Sequence, residues 1–320
     1  MNYSKISGIG SYLPEKILTN FDLEKTVDTS NDWIIERSGI EQRHICEDHE
    51  TASTMGTEAA KKALENAGLS ASDIDMVILA TATPDRLFPS SACFVSRNLG
   101  CGNIPAFDVT AACAGWVYGL SIADQFIRGG IHKNILVIGT EALSKIVDWS
   151  DRSTCVLFGD GAGAAVLSAA DKPGIISTHL HADGQYVDLL YSPNMIRGQE
   201  EGVSQPKVFM TGNDVFKVAV KSLSSVVKET MQANDLQADD VDWLVPHQAN
   251  LRIIQGTAKK LRMTMDKVIV TVNQHGNTSS ASIPLAMDYA IQKGQIKRGD
   301  KLLLETFGGG FAWGAALIEY

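Results

Sequence analysis

Residues 63–78, ALENAGLSASDIDMVI, and residues 230–245, TMQANDLQADDVDWLV, are two versions of one pattern. Each reads as a helix end, a short loop, an acidic Asp-x-Asp and a buried strand, and the offset between them is 167 residues (242 − 75). KNILVIGTEA (133–142) and DKLLLETFGG (300–309) repeat at the same offset (300 − 133), and GAAVL (163–167) is echoed by GAALI (314–318). Three matches in one order imply that residues 1–170 and 171–320 share one topology. DKPG (171–174) is the natural seam, because Pro and Gly together punctuate structure.

The pattern inside each half is mixed. In TASTMGTEAAKKALENAG, Met55, Ala59, Ala60, Ala63, Leu64 and Ala67 fall on one helical face, and Gly68 supplies the stop. DMVILATAT and NILVIGTE are continuous apolar runs, as strands covered on both faces require. Val215, Ala219, Leu223 and Val226 again share a helical face. Helices alternating with buried strands imply an α/β fold, and a doubled plan implies two sheets packed around shared helices. GDGAGA (159–164) fits a relaxed dinucleotide fingerprint. That motif needs a helix directly after its glycines. AAVLSAADKPG is too soon broken for one, so a tight strand-to-strand turn is expected instead.

Composition excludes several classes. Five cysteines (Cys46, Cys93, Cys101, Cys113, Cys155), odd in number and without a CxxC pair, argue against a disulfide framework or a zinc site and for a reducing cytoplasm. The net charge of −9 argues against nucleic acid as a partner. No apolar run approaches the roughly 18 residues that span a bilayer, and MNYSKISGIGSYLPEK does not read as a signal peptide.

Cys113 lies between IPAFDVT (104–110), read as a strand, and AGWVYGLSIADQFI (114–127), read as a helix. A helix N-terminus favours a thiolate and lowers its pKa, and small neighbours admit a substrate. A buried core cysteine fits the same local pattern. His247 in WLVPHQAN follows a buried strand. His275 and Asn277 in TVNQHGNTSSAS sit in a loop with a run of small hydroxyl residues. Strand ends are where ligands bind in α/β layers, though an interior histidine is the simpler reading of His247 alone. His44, His49, His132, His179 and His181 read as surface residues. The glycines of ETFGGGFAWGAALIEY offer either backbone donors for an oxyanion or a plain hairpin turn.

In combination, these stretches resemble the thiolase-superfamily condensing enzymes, and more narrowly the β-ketoacyl-[acyl-carrier-protein] synthase III family. The resemblance runs collinearly through SNDWIIERSGIEQRH, FPSSACFV, AACAGWVYGL, DRSTCVLFGDGAGAAV, GNDVFKVAV, PHQANLRII, HGNTSSASIP and GGGFAWGAAL. It implies a thiolase-like fold of two pseudo-duplicated halves in five layers, α-β-α-β-α. It also implies a Cys-His-Asn triad of Cys113, His247 and Asn277, with the N–H groups of Cys113 and Gly309 as oxyanion hole and Phe307 as the apolar wall for decarboxylation. The implied reaction joins a short acyl-CoA to malonyl-acyl carrier protein, without cofactor or metal.

By the same resemblance Trp33, Arg37 and Arg152 hold CoA, with Gly212 and Asn250 along the pantetheine tunnel. Trp33 and Arg37 share a helix face at i, i+4, and indole and guanidinium planes suit adenine stacking. Lys217, Arg252, Lys259 and Lys260 imply a local basic patch for an acidic carrier protein, which steers a partner despite the net charge. Phe88 implies a homodimer in which it reaches the partner's acyl pocket. The rivals are a related starter synthase of secondary metabolism, a Cys-His-Asn thioesterase and a non-catalytic binding module.

Overall fold

The computed structural model describes residues 2–193 and 207–320. One sheet is built from β1 (Tyr3–Tyr12), β2 (Met76–Ala80), β3 (Ala106–Val109), β4 (Asn134–Glu141) and β5 (Gly161–Ala170), in the spatial order β1-β5-β4-β2-β3. The other is built from β6 (Ile175–Ala182), β7 (Trp243–Pro246), β8 (Lys301–Gly308) and β9 (Ala312–Glu319), in the order β7-β8-β9-β6. Strand directions follow one scheme in both. β2 is parallel to β4, β4 antiparallel to β5 and β5 antiparallel to β1. Likewise β7 is parallel to β8, β8 antiparallel to β9 and β9 antiparallel to β6. Even the register repeats: Met76 faces Ile135 and Trp243 faces Leu302, each 167 residues from its counterpart (243 − 76, 302 − 135). A single parallel bridge from Leu244 to Val268 stands where the second sheet would add a fifth strand.

Six helices complete the layers: α1 (Ala52–Ala67), α2 (Ser91–Leu99), α3 (Gly115–Arg128), α4 (Gly212–Ala233), α5 (Leu251–Leu261) and α6 (Ser282–Gln292). α3 and α6 lie between the sheets. Their Val117, Leu120, Ile283 and Met287 form one buried cluster with Ile78 and Val137 of the first sheet and Val245 and Leu304 of the second. α1 and α2 cover the outer face of the first sheet, where Met55, Ala59 and Val95 meet Val77, Leu79 and Ile138. α4 and α5 cover the second, where Val226, Ile254 and Ala258 meet Leu244 and Leu303. Period-two alternation sorts the strands, with Leu302 and Leu304 facing inward and Leu303 outward. The result is five layers, α-β-α-β-α. Among the described residues, no helix is long and apolar enough to cross a membrane.

Local chemistry explains the boundaries. Thr51 caps α1 by accepting from Thr54 N, and Gly68 closes it at φ 66°. The GDGAGA stretch departs from the expected turn, since Gly161 and Gly163 lie within β5. A Cβ on Gly163 would meet Pro284 Cβ at 2.6 Å, so the small residues let α6 rest directly on the strand.

Candidate active site

β3 ends at Val109, and the chain turns through a 3-10 segment, Ala112–Ala114, before α3 begins at Gly115. Cys113 therefore sits one turn ahead of the helix. Ala112 takes φ 43°, the left-handed region that side chains rarely adopt, which marks a strained elbow. β8 pins this elbow from the other half of the chain. Thr306 Oγ1 donates to Cys113 O at 2.7 Å, and a Cβ on Gly308 would lie 2.6 Å from Cys113 N. Cys113 and Gly309 thus line one cavity of about 100 Å³, with Ala112, Phe158, Leu190 and Ser279.

The thiol is not the acidic group that its position suggests. Burial in this apolar cavity pushes Cys113 up to about 12, and the charge of Glu141 adds to the effect, while hydrogen bonds from Ser279 and from its own backbone pull the other way. Desolvation is the largest contribution to that shift.

His247 follows β7 and is buried, 6% exposed. Its N–H donates to Glu305 O at 2.7 Å, which continues the β7–β8 ladder. Nδ1 lies 2.6 Å from Ser282 Oγ, and burial pulls the imidazole down to about 3, so it stands neutral. Asn277 is held by its backbone, with N donating to Leu157 O and O accepting from Gly159 N. Its Oδ1 accepts from Ser279 N at 2.9 Å. The segment 277–282 is the hub. Ser279 reaches Cys113, Ser282 holds His247, and Ser280 Oγ donates to Ala80 O and to Glu141. A Cβ on Gly139 would strike Ser280 O, so that glycine admits the hub against β4. Phe307 is buried beside Phe311, with ring centroids 4.6 Å apart, and lines a second, small cavity with His247.

Residues 107–184 match the 3-oxoacyl-[acyl-carrier-protein (ACP)] synthase III family, and residues 231–320 match the family described as 3-oxoacyl-[acyl-carrier-protein (ACP)] synthase III C terminal. A β-ketoacyl-[acyl-carrier-protein] synthase III of Methylococcus capsulatus is 56% identical over 318 residues, which is 99% of each chain. The chain belongs to the synthase III family. The crystal structure of 3-oxoacyl-[acyl-carrier-protein] synthase III from Aquifex aeolicus superimposes with a TM-score of 0.94 at 47% identity, covering 99% of this chain and 100% of that one. The priming β-ketosynthase of the R1128 polyketide pathway gives 0.95 at 35% identity, covering 99% and 96%.

The positions that the synthase III resemblance assigns to substrate binding fall into three places. Trp33, on the helix Asn31–Ser38, has the Arg37 guanidinium 5.3 Å and the Arg152 guanidinium 4.8 Å from its ring centroid. Asn250 caps α5 by accepting from Arg252 N, and its Nδ2 donates to Arg37 O at 3.0 Å, so it ties this cluster to α5. Gly212 opens α4, and a Cβ there would make ordinary van der Waals contact with Met210 Cε at 3.6 Å. Lys217 is paired with Asp214 at 3.1 Å, and Arg252 covers the Phe216 ring at 5.4 Å. Lys259 and Lys260 lie exposed in the last turn of α5. Phe88 lies apart from the cavities of its own chain's site and is 79% exposed, beside Leu87 at 73%.

One histidine reading is corrected. His275 is buried and edge-on to Tyr289 and His44, its pKa drawn down to about 4 by burial and by His44. It ends a short helix, Val272–His275, rather than lying in a loop. His179 and His181 share the Glu229 carboxylate at 3.0 and 2.7 Å. Ser279, Ser282, Thr306, Glu141 and Glu305 were not singled out from sequence. The hydroxyl run after Asn277 was the only local signal for the first two.

Proposed function

We propose that the protein catalyses the initiating decarboxylative Claisen condensation of a short acyl-CoA, acetyl-CoA foremost, with malonyl-acyl carrier protein. The products are 3-oxoacyl-acyl carrier protein and CO₂, in the first condensation of fatty acid synthesis. The observation that carries this reading is the hub 277–282, which lines the cavity of Cys113 through Ser279 and holds His247 through Ser282.

Cys113 attacks the acyl-CoA thioester, and its proton leaves on the CoA sulfur. This makes an acyl-enzyme, the intermediate of ping-pong chemistry. The N–H groups of Cys113 and Gly309 have no backbone acceptor among the described residues, which leaves them for the oxyanion. Such a donor is worth about 3–4 kcal/mol. His247 and Asn277 then bind the malonyl thioester carbonyl. A neutral imidazole with one nitrogen engaged by Ser282 suits that task. Loss of CO₂ leaves an enolate on those donors, and the dry wall at Phe307 favours the uncharged gas over the carboxylate. The enolate carbon attacks the acyl group and sulfur departs. The scheme calls for no cofactor or metal.

Trp33, Arg37 and Arg152 stack on the CoA adenine, and Gly212 and Asn250 flank the pantetheine. Lys217, Arg252, Lys259 and Lys260 receive the acyl carrier protein. The chain acts as two duplicated halves, 1–170 bearing Cys113 and 171–320 bearing His247 and Asn277. The repeated strand directions support that division. It works in the cytoplasm as a homodimer, with Phe88 entering the partner's acyl pocket; the exposure of Leu87 and Phe88 supports this.

Intact-protein mass spectrometry after mixing with acyl-CoAs tests the reading. One acyl adduct is expected, on Cys113 and absent in Cys113→Ser. An adduct on Cys46, Cys93, Cys101 or Cys155 overturns it. Steady release of free acid without malonyl-acyl carrier protein supports a thioesterase instead.

A further inference from the structure

A neutral imidazole carries one proton, and the groups behind His247 decide which nitrogen holds it. Nδ1 is 2.6 Å from the hydroxyl of Ser282, the first residue of α6. The same oxygen receives a longer hydrogen bond, 3.4 Å, from the backbone N–H of Gln248. Ser282 is 2% exposed, and its hydroxyl has no other partner among the described residues. Gln248 is buried and pinned by its own side chain. Its Nε2 donates to Pro246 O and Ile269 O at 2.8 and 3.1 Å, and its Oε1 accepts from Thr271 N and Val272 N at 2.8 and 3.0 Å. The direction of its backbone N–H is fixed with it.

A backbone N–H can only donate, so Gln248 takes up a lone pair of Ser282 Oγ. A buried hydroxyl proton needs an acceptor, and Nδ1 is the one within reach. Were Nδ1 protonated, it and Gln248 would both donate to the same oxygen, and the hydroxyl proton would be stranded. Burial holds the ring neutral, drawn down to about 3. When Nδ1 accepts, the single ring proton is therefore on Nε2.

We infer that Ser282 is a positioning residue, which donates to Nδ1 of His247 and thereby holds the ring as the Nε2–H tautomer. The inference rests on the condensation proposed above, in which His247 donates to the malonyl thioester carbonyl. Nε2 is free for that task, since it makes no hydrogen bond among the described residues. An N–H there can donate first to the carbonyl and then to the enolate, whereas a lone pair would repel both. The same tautomer denies Cys113 a base, because neither nitrogen keeps a free lone pair. His247 thus serves condensation and not acyl loading. The hub orients Asn277 in the same sense. Asn277 Oδ1 is occupied by Ser279 N–H at 2.9 Å, which leaves the Nδ2 donors for substrate. Residues 277–282 therefore present two donors and no acceptor to the carbonyl.

Nuclear magnetic resonance of protein labelled with ¹⁵N-histidine reads the tautomer, with the His247 signals identified by their loss in His247→Gln. Wild type is expected to show Nε2 protonated and Nδ1 bare from about pH 5 to pH 8. A ring protonated at Nδ1, or a cationic ring, in that range overturns the inference. In Ser282→Ala both tautomers are expected. Acyl loading from acetyl-CoA then stays within about two-fold of wild type, and condensation with malonyl-acyl carrier protein falls about 10–10²-fold, the scale for groups that orient a histidine from behind. A variant ring that remains purely Nε2–H overturns the inference, as do equal losses in the two half-reactions or an undiminished condensation rate. Should the variant not fold, the wild-type spectrum decides alone. Because that spectrum needs no turnover, it stands even if the wild-type protein fails to condense, an outcome that would instead defeat the proposed function.

Discussion

Glu141 and Glu305 are both buried carboxylates at strand positions close to the site, yet they are built in opposite ways. Glu141 ends β4 and receives five hydrogen bonds, from Thr81 Oγ1, Ala82 N, Thr83 Oγ1, Ser280 N and Ser280 Oγ, at 2.9–3.4 Å. Glu305 in β8 receives none among the described residues. Burial raises the pKa of both. The difference is what each does with its oxygens. Glu141 spends them fastening the hub 277–282 to the first sheet, whereas those of Glu305 are buried without a partner. A saturated buried carboxylate fixes geometry, and an unpartnered one bears its full desolvation cost.

Removing each side of this contrast should give different failures. Glu141→Ala leaves several buried donors unpaired and should cost about 4 kcal/mol of stability, read from denaturant midpoints at unchanged slope. A loss below about 1 kcal/mol would erase the contrast. His247→Ala should leave the midpoint nearly in place and lower condensation about 10²–10³-fold, with acyl loading on Cys113 less affected; a collapse in stability instead would place His247 with Glu141. Asn277→Ala should impair malonyl decarboxylation more than loading, and equal losses would remove its role at the enolate.

Stability against pH sharpens the comparison further. The folded pKa of Glu305 lies near 8, above its ordinary 4.5. The folded state therefore holds the proton more tightly than the unfolded chain, and this contribution declines as pH rises from about 4.5 to about 8. Glu305→Gln abolishes that decline, so it should gain at least about 1 kcal/mol on wild type between pH 5 and pH 8. The opposite contribution of His247, lost as pH falls from about 6.5 toward 3, is common to both proteins and cancels. A flat difference across that range would mean that Glu305 is ionised in the fold.

Much of this was legible from residue order. The repeat at 167 residues foretold two sheets of one plan, and it held to the level of register, with Met76 on Ile135 and Trp243 on Leu302. The strand before Cys113 and the helix after it were readable within about two residues, because their apolar periods are strong. The Trp33, Arg37 and Arg152 cluster was anticipated by family resemblance, and its guanidinium-over-indole geometry is what those side chains favour. By contrast, nothing near GTE (139–141) or LET (304–306) distinguishes a saturated glutamate from an orphaned one. His275 and Asn277 share one local pattern, and only the family resemblance singled out Asn277; the structure then sets His275 against Tyr289 and His44.

The sequence by itself determined which elements form, how they alternate and which residue types can carry thioester chemistry, because those follow from local period and side-chain chemistry. Tertiary structure decided the ionisation of those groups. It raised Cys113 where a helix terminus would have lowered it, and it left Glu305 without partners and His247 neutral. The reason is that desolvation and hydrogen-bond supply come from residues far apart in the chain. Ser279 meets Cys113 from 166 positions away (279 − 113), and no window of sequence contains both.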